Sequence, residues 1–452
     1  MSNAVLVVGL GSNINPHEHL KRALKYIRNL PNVKLLDVSR IYESDPVLPA
    51  QLIDYTADSW NHQFLNAAVR LNVSKFQPLE FLRQLKQIEK SIGRDSEAPR
   101  WSPREIDLDI LFIEGQKVDL PELKVPHLHL FERPFALLPL FELVNEAQFI
   151  NNLHTLAVPA QLPNWATQSW NMKKPFNTEV SSKFFWTEFL GILNLTDDSF
   201  SDGHANSTLE KFKMNVVRLL ESGAQVLDIG AESTRPRRDA EAARPHQIEF
   251  ELEKLSSALE SLIEFKKNYP QMKISVDCRH PQVLDVLLNR FKIDFINDVT
   301  GFRAPQMIEL AKKSDCKIIV MHSLSVPVVQ NEIIDPNLNP IDILNAWWKI
   351  KWTELTQSGI DAARIIFDPG IGFGKSPGQN VYILQNLMDI ESLGCDILIG
   401  HSRKSFLQTV TNKPAQDRDP ETALVTRSMN KAGYQYLRLH DVSVNKSALE
   451  YI

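Results

Sequence analysis

The stretch Arg364-Ile-Ile-Phe-Asp368-Pro-Gly-Ile-Gly-Phe373-Gly-Lys375 is an apolar run that stops at a carboxylate and passes into a glycine-rich turn. A short apolar run rich in β-branched residues and bounded by turn signals reads as a buried strand. The pattern recurs. Such runs are Leu190–Leu195, Val226–Ile229, Ile274–Val276, Phe295–Val299, Ile318–Met321, Ile365–Phe367, Ile397–Ile399 and Tyr436–Leu439. Between them lie stretches of helical period, among them Leu209–Leu220, Glu249–Phe265, Val283–Leu288 and Pro340–Leu355. Strand–helix alternation builds parallel sheets, and eight units of it suit a closed (β/α)8 TIM barrel, with an open doubly wound sheet as the alternative. Every run ends in polar or ionisable groups: Asn194, Asp228, Asp277, Asn297-Asp298, His322, Asp368, His401-Ser-Arg-Lys404 and Arg438 with His440-Asp441. Chemistry collects at the carboxyl ends of barrel strands, so this rim is a candidate site.

Two motifs near these runs are set aside. Gly370–Ser376 resembles a phosphate-binding loop, but that pattern needs glycine at 369, where Pro369 stands, and Pro377-Gly378 argue against a following helix. Gly9-Leu-Gly11 resembles a dinucleotide turn, but its third glycine would fall on Ile14.

Upstream the pattern changes. Val5–Leu10, Lys34–Ser39, Asn66–Leu71 and Ile106–Phe112 read as strands, and His17–Arg28 and Pro78–Ile92 as helices. This is a small α+β domain (ferredoxin-like, with helices on one side of a mainly antiparallel sheet). Between residues 159 and 183 apolar periodicity fails and Asn, Gln, Ser, Thr, Pro and Lys dominate, as in a linker. The expected organisation is therefore 1–158, linker 159–183, and 184–452.

The 452 residues are 43% hydrophobic and 23% charged, which excludes a mainly disordered chain. Fifty basic against 55 acidic residues leave a net charge of −5, with no global pull toward nucleic acid or an anionic membrane. No apolar run is long enough for a membrane helix, and Met1-Ser-Asn lacks the basic lead-in of a secretory signal; a cytoplasmic protein is expected. Three well-separated cysteines, Cys278, Cys316 and Cys395, make neither a disulfide framework nor a zinc cluster.

The densest chemistry of the first part is Arg100-Trp-Ser-Pro-Arg104-Glu-Ile-Asp107-Leu-Asp109. On a strand Asp107 and Asp109 share one face, and two adjacent carboxylates call for a cation. Hard oxygen ligands of this kind suit Mg2+ held together with substrate phosphates, which nearby arginines would clamp. An isolated Asp-x-Asp is more often a solvated salt-bridge network. The longer pattern, with Gly11-Ser-Asn, Phe64-Leu-Asn66, Val125-Pro-His127 and Arg133-Pro-Phe135, resembles the 6-hydroxymethyl-7,8-dihydropterin pyrophosphokinases over about residues 4–150. The resemblance implies transfer of the ATP pyrophosphoryl group to the pterin hydroxymethyl oxygen, releasing AMP. It implies two Mg2+ on Asp107 and Asp109, and a pterin between Phe64 and Phe135 with its edge read by Asn66. Glu89, Arg100, Trp101, His127 and Arg133 would serve ATP, and Arg94 and Arg104 catalysis. Ser96, where a basic residue is expected, and the long stretch Val47–Gln63 depart from the pattern.

The barrel half resembles the dihydropteroate synthases from about residue 186 to 450, through Gly191-Ile-Leu-Asn194, Phe200-Ser-Asp202, Glu232-Ser-Thr234-Arg235-Pro236, Asp368–Lys375 and Ser402-Arg-Lys404. That family condenses the pterin pyrophosphate with p-aminobenzoate and is the target of sulfonamides. The resemblance implies pterin binding by Asp277, Asn297, Asp368 and Lys404, with Asp368 and Lys404 catalytic. It places p-aminobenzoate among Phe200, Thr234, Arg235, Pro236, Phe373 and Ser402. Pyrophosphate, with one Mg2+ on Asn194, would lie against Asn194, Arg438 and His440. Asp197, Arg237-Arg238 and His401 depart from the family's usual residues. A bifunctional enzyme is thus expected, with small-molecule substrates, no nucleic-acid or membrane partner, and a homodimer through the barrel. The competing readings are a pterin-binding module with a dead site and another pterin-using barrel such as a methyltransferase.

Overall fold

The computed structural model describes residues 3–46, 62–95, 97–99, 102–127, 130, 133–144, 149, 181–184, 186–195, 205–232, 247–329 and 331–450. It divides into two compact units, Met1–Trp186 with Lys431–Gly433, and Thr187–Asn430 with Tyr434–Ile452.

The first unit is built on a sheet of β1 (Ala4–Ser12), β2 (Val33–Val38), β3 (Ile41–Ser44), β4 (Phe64–Val73) and β5 (Asp107–Ile113). A separate two-strand ribbon follows, β6 (Val118–Asp119) with β7 (Lys124–Val125). β8 (Ser181–Phe184) then pairs antiparallel with β3 at the sheet edge. Every pairing among the described strands of this unit is antiparallel, and β1 lies between β4 and β5. Residues 181–183, read in the sequence as the end of the linker, thus belong to this sheet. Residue 184, assigned to the barrel, belongs there too. Trp186 follows it, its indole N–H donating to the Ser39 carbonyl at 2.7 Å.

Helices α1 (Pro16–Arg28) and α2 (Pro78–Ile92) stand where their apolar period puts them, each with proline in its first turn, where a missing N–H costs nothing. A third helix, α3 (Pro134–Leu143), was not expected. It packs Leu137, Leu140 and Leu143 into a core with Val7, Ala68, Leu111 and Phe112. Leu6, Val7 and Val8 are all buried, and neighbours on a strand face opposite ways, so helices cover both faces of the sheet rather than one.

The second unit is a closed barrel of eight parallel strands in chain order. They are β9 (Glu188–Asn194), β10 (Val226–Gly230), β11 (Lys273–Asp277), β12 (Phe295–Asp298), β13 (Lys317–Met321), β14 (Ile365–Asp368), β15 (Asp396–Ile399) and β16 (Tyr436–Leu439), with β16 closing onto β9. Closure decides against the open doubly wound alternative. All eight strands match the apolar runs. Leu190, Val226, Phe295, Ile319, Ile366, Leu398 and Tyr436 form a buried layer across the interior, so the barrel is packed. The connecting helices at 281–290, 305–313, 340–357 and 377–385 each begin with proline.

Candidate active sites

In the first unit β1 contributes glycine where its neighbours contribute function. Gly11 lies opposite Asn66 on one side and Asp107 on the other, and Gly9 opposite Asp109. A β-carbon on Gly11 would come 3.4 Å from the Asn66 Oδ1. The bare strand is thus a trough between the carboxylates and the amide, and the pair set aside as a dinucleotide turn has this use instead. One cleft gathers Gly9, Gly11, Phe64, Asn66, Arg104, Asp107, Asp109, His127, Arg133 and Phe135. Asn66 is held by donating from Nδ2 to the Ser44 Oγ at 2.9 Å. Arg104 is pinned by its own backbone, its N–H donating to the Asn13 Oδ1 at 2.7 Å.

Charge is unevenly met here. Asp107 takes Arg94 at 2.5 Å on one oxygen and Arg104 at 2.9 Å on the other. Burial pushes Asp107 up, but Arg94, Lys86 and Arg104 together bring it below the ordinary carboxylate value. Asp109 goes the other way, raised by burial and by the Asp107 charge, with Lys86 at 4.0 Å. Among the described residues no group of three or more His, Cys, Asp or Glu gathers to hold a metal unaided. Two half-exposed carboxylates in a cleft fit Mg2+ that brings water and phosphate oxygens of its own.

Glu89 does not reach this cleft. It is 3% exposed and lies beneath β5, accepting from the Leu108 N–H and the Lys86 ammonium at 2.7 Å and pairing with Arg94 at 2.8 Å. It organises the cations rather than facing a nucleotide. Lys86, one helical turn before it and near both aspartates, is a residue that sequence reasoning missed; its i,i+3 spacing to Glu89 was the available signal. Arg100 and Trp101 lie outside the described residues, as does Ser96.

In the barrel the carboxyl-terminal strand ends form a layer of buried charge. The Arg438 guanidinium donates to Asp228 at 2.5 Å and to Asp277 at 2.7 Å. Asp228 is fully buried and also accepts from the Ser275 hydroxyl at 2.5 Å and from the Asn297 amide at 3.4 Å. It was read only as a strand end, yet it is the hub that orients Arg438 and Asn297. Burial pushes Asp277 up to about 7 against the pull of Arg438, with the charges of Asp228 and Asp298 adding to the rise. Asp368 is likewise raised by burial, opposed by Lys404, and accepts the Gly370 N–H at 2.7 Å. Burial lowers Lys404 to about 8; its ammonium donates to the Ile371 carbonyl and lies 4.7 Å from the centre of the Phe373 ring. Asp277, Asn297, Asp368, Phe373, Lys404 and Arg438 thus stand on one rim.

Ser402 and His440 meet directly, the His440 N–H donating to the Ser402 Oγ at 3.2 Å. Asn194 and His440 line a second cleft with Lys211, Asn215, Arg218 and Arg403. Phe200, Thr234, Arg235, Pro236, Asp197 and Arg237-Arg238 lie outside the described residues.

The glycine loop after β14 carries one correction. A helix does follow it, Pro377–Gln385, opened by Ser376 and Gln379 in a reciprocal capping box. Proline there is a helix starter, so it gives no reason against a phosphate loop. The stronger reason is the Lys375 head, which is buried and turned onto the Gly370 and Phe373 carbonyls.

A carboxylate-and-arginine cleft in the first unit and a layer of buried charge at the strand ends of the barrel are two separate polar sites, as an enzyme of two activities would carry. Comparison with known proteins agrees. Residues 7–145 match the model of the 7,8-dihydro-6-hydroxymethylpterin-pyrophosphokinases, and residues 190–440 that of the pterin binding enzymes. The folate synthesis bifunctional protein of Chlamydia muridarum is 31% identical over 98% of this chain and 96% of its own length. Among solved structures, dihydropteroate synthase from Anaplasma phagocytophilum with bound 6-hydroxymethylpterin-monophosphate is 30% identical, covering 58% of this chain and 97% of that one (TM-score 0.51). The Yersinia pestis dihydropteroate synthase with a sulfonamide drug complex is 29% identical, covering 58% and 92% (TM-score 0.51). The chain belongs to the family of folate synthesis bifunctional proteins and is a transferase with a pyrophosphokinase unit and a dihydropteroate synthase unit. None of its described helices is long and apolar enough to cross a membrane.

Proposed function

We propose that the first cleft transfers the ATP pyrophosphoryl group to 6-hydroxymethyl-7,8-dihydropterin, releasing AMP, and that the barrel rim condenses the product with p-aminobenzoate. One cleft brings Phe64, Asn66 and Phe135 together with Asp107 and Asp109, and that co-location carries the reading. A flat pterin stacks between the two phenyl rings and meets the Asn66 amide at its edge. Asp107 and Asp109 would hold two Mg2+ with ATP, and these ions supply neutralisation of phosphate charge when bound. Arg94 and Arg104, now on Asp107, stand ready to exchange a carboxylate for a phosphate oxygen. His127 and Arg133 would serve the ATP side, and by resemblance Arg100 and Trp101 as well.

In the barrel, Asp277, Asn297, Asp368 and Lys404 would grip the pterin. A buried carboxylate at Asp368 favours positive charge on the ring as its C–O bond breaks. Asn194, Arg438 and His440 would receive the released pyrophosphate, and one Mg2+, when bound, would neutralise part of its charge. Here the residues present are neutral and cationic, so they fit an ion carried in by pyrophosphate rather than a resident one. The arylamine nitrogen is nucleophilic without a base. It would approach from the side of Phe373 and Ser402, where a sulfonamide would compete, and by resemblance Phe200, Thr234, Arg235 and Pro236 would also serve it. By resemblance to the family, the barrel would mediate a homodimer.

The test is a coupled assay with ATP, Mg2+ and the hydroxymethyl pterin, with and without p-aminobenzoate. AMP is expected in both and dihydropteroate only with p-aminobenzoate. Neither product would return the chain to the binding-module class.

A further inference from the structure

The loop that carries Phe373 is soft by composition. Gly370, Gly372 and Gly374 all have positive φ, and a β-carbon on Gly370 would fall 1.9 Å from the His322 carbonyl oxygen. Glycine is obligatory there, and three in five residues leave much backbone freedom to be lost on ordering. Two buried side chains restrain it. Asn380 accepts the Gly372 N–H at 2.8 Å and donates to the Lys375 carbonyl at 3.1 Å. Lys375 lies across the inside of the loop, its ammonium donating to the Gly370 carbonyl at 2.9 Å, the Phe373 carbonyl at 2.9 Å and the His322 Nδ1 at 3.0 Å. Burial holds His322 neutral, down to about 2, so its ring nitrogen can accept.

Burial lowers Lys375 to about 7, opposed by the Asp368 charge, and in its ammonium form all three of its donors are taken by protein acceptors. Lys375 therefore has none to offer a ligand, unlike Lys404, which faces Phe373 and Asp368. Burying an ammonium is costly unless its partners are well placed. What these partners share is that two belong to the Phe373 loop and the third to the end of the neighbouring strand.

We infer that Lys375 is a positioning residue that braces the Gly370–Phe373 turn against His322 and so sets the Phe373 ring for p-aminobenzoate. The inference rests on the reading that Phe373 faces that substrate. It separates two halves of the rim. Asp368 is held by β14 and touches the turn through the Gly370 N–H alone, so pterin binding should depend on the brace less than p-aminobenzoate binding does.

The test is steady-state kinetics of the condensation on the full chain carrying Lys375→Met, beside Phe373→Ala. The brace predicts a KM for p-aminobenzoate about tenfold higher, the size of effect expected on losing hydrogen bonds to a charged group. A matching rise in the sulfonamide inhibition constant should accompany it, with kcat and the KM for pterin pyrophosphate within about twofold. Unchanged values would overturn it. So would a joint collapse of kcat, both KM values and the melting temperature, which would make Lys375 a structural residue only. If Phe373→Ala leaves the p-aminobenzoate KM unmoved, the reading of the loop fails and the inference with it. Should Lys375→Met not fold, His322→Leu removes one acceptor and must raise the same KM by about threefold, a single hydrogen bond's worth; no rise overturns the proposal.

Discussion

The two sites hold like-charged carboxylates by opposite means. In the first unit Asp107 and Asp109 stand at an open cleft, and the cations that meet them come from outside the strand: Arg94, Arg104 and Lys86. Asp107 is well matched, whereas Asp109 is left raised, by burial first and then by the Asp107 charge. In the barrel Asp228 and Asp277 are bridged by one guanidinium, and Asp368 is opposed by Lys404. Burial still raises both Asp277 and Asp368, against these protein cations. The difference separates an open cleft, where the proposed metal would add to the protein's own cations, from a buried layer bridged by protein groups.

The sharpest way to break the comparison is Asp109→Ala. A bound metal contributes several kcal/mol, so pyrophosphoryl transfer should fall by about a thousandfold or more. Condensation of supplied pterin pyrophosphate should stay intact, and loss of both activities would end the claim of independent sites. Next comes Arg438→Met, which leaves two buried carboxylates unpaired. It should destabilise the barrel by about 3–5 kcal/mol in denaturant unfolding, while AMP formation persists below the barrel's transition. An unchanged barrel would mean that Arg438 does not bridge the layer.

A gentler probe is pH. Asp277 keeps its proton to about 7 in the folded chain, whereas an unfolded aspartate titrates near 3.8. Between those values the folded state binds more protons, so this contribution to stability, whole below the lower value, is lost as pH rises toward 7. Asp277→Asn should flatten the fall in barrel melting temperature over that window; an identical pH profile would contradict the raised carboxyl. The smallest effect is expected from Ser402→Ala. It removes the acceptor of the His440 N–H, costing about 1 kcal/mol, or roughly fivefold in condensation rate, with no change in AMP formation.

What could be read in advance differed between the regions for physical reasons. Each barrel strand is a short, mostly apolar run that stops at a polar rim, so all eight were legible. α3 was not, because Pro134–Leu143 is apolar except for Glu142 and shows no helical period. β3, with four residues, is too short to declare an alternation, and β8 sits at the end of a polar tract. For the sites, motif spacing located Asp107, Asp109, Asp368 and Lys404. It could not say which charges pair across strands. Glu89 proved to lie under β5, Asp228 to be the hub of Arg438, and Lys375 to point inward, because these depend on register and burial.

The most direct test of two self-sufficient sites on one chain is complementation. Asp109→Ala and Lys404→Ala chains, each unable to make dihydropteroate from ATP, the hydroxymethyl pterin and p-aminobenzoate, would be mixed in solution with Mg2+. The account predicts that the mixture makes dihydropteroate, with pterin pyrophosphate passing from the intact cleft of one chain to the intact barrel of the other. A mixture as inactive as its components, while each chain retains its single remaining activity, would contradict it.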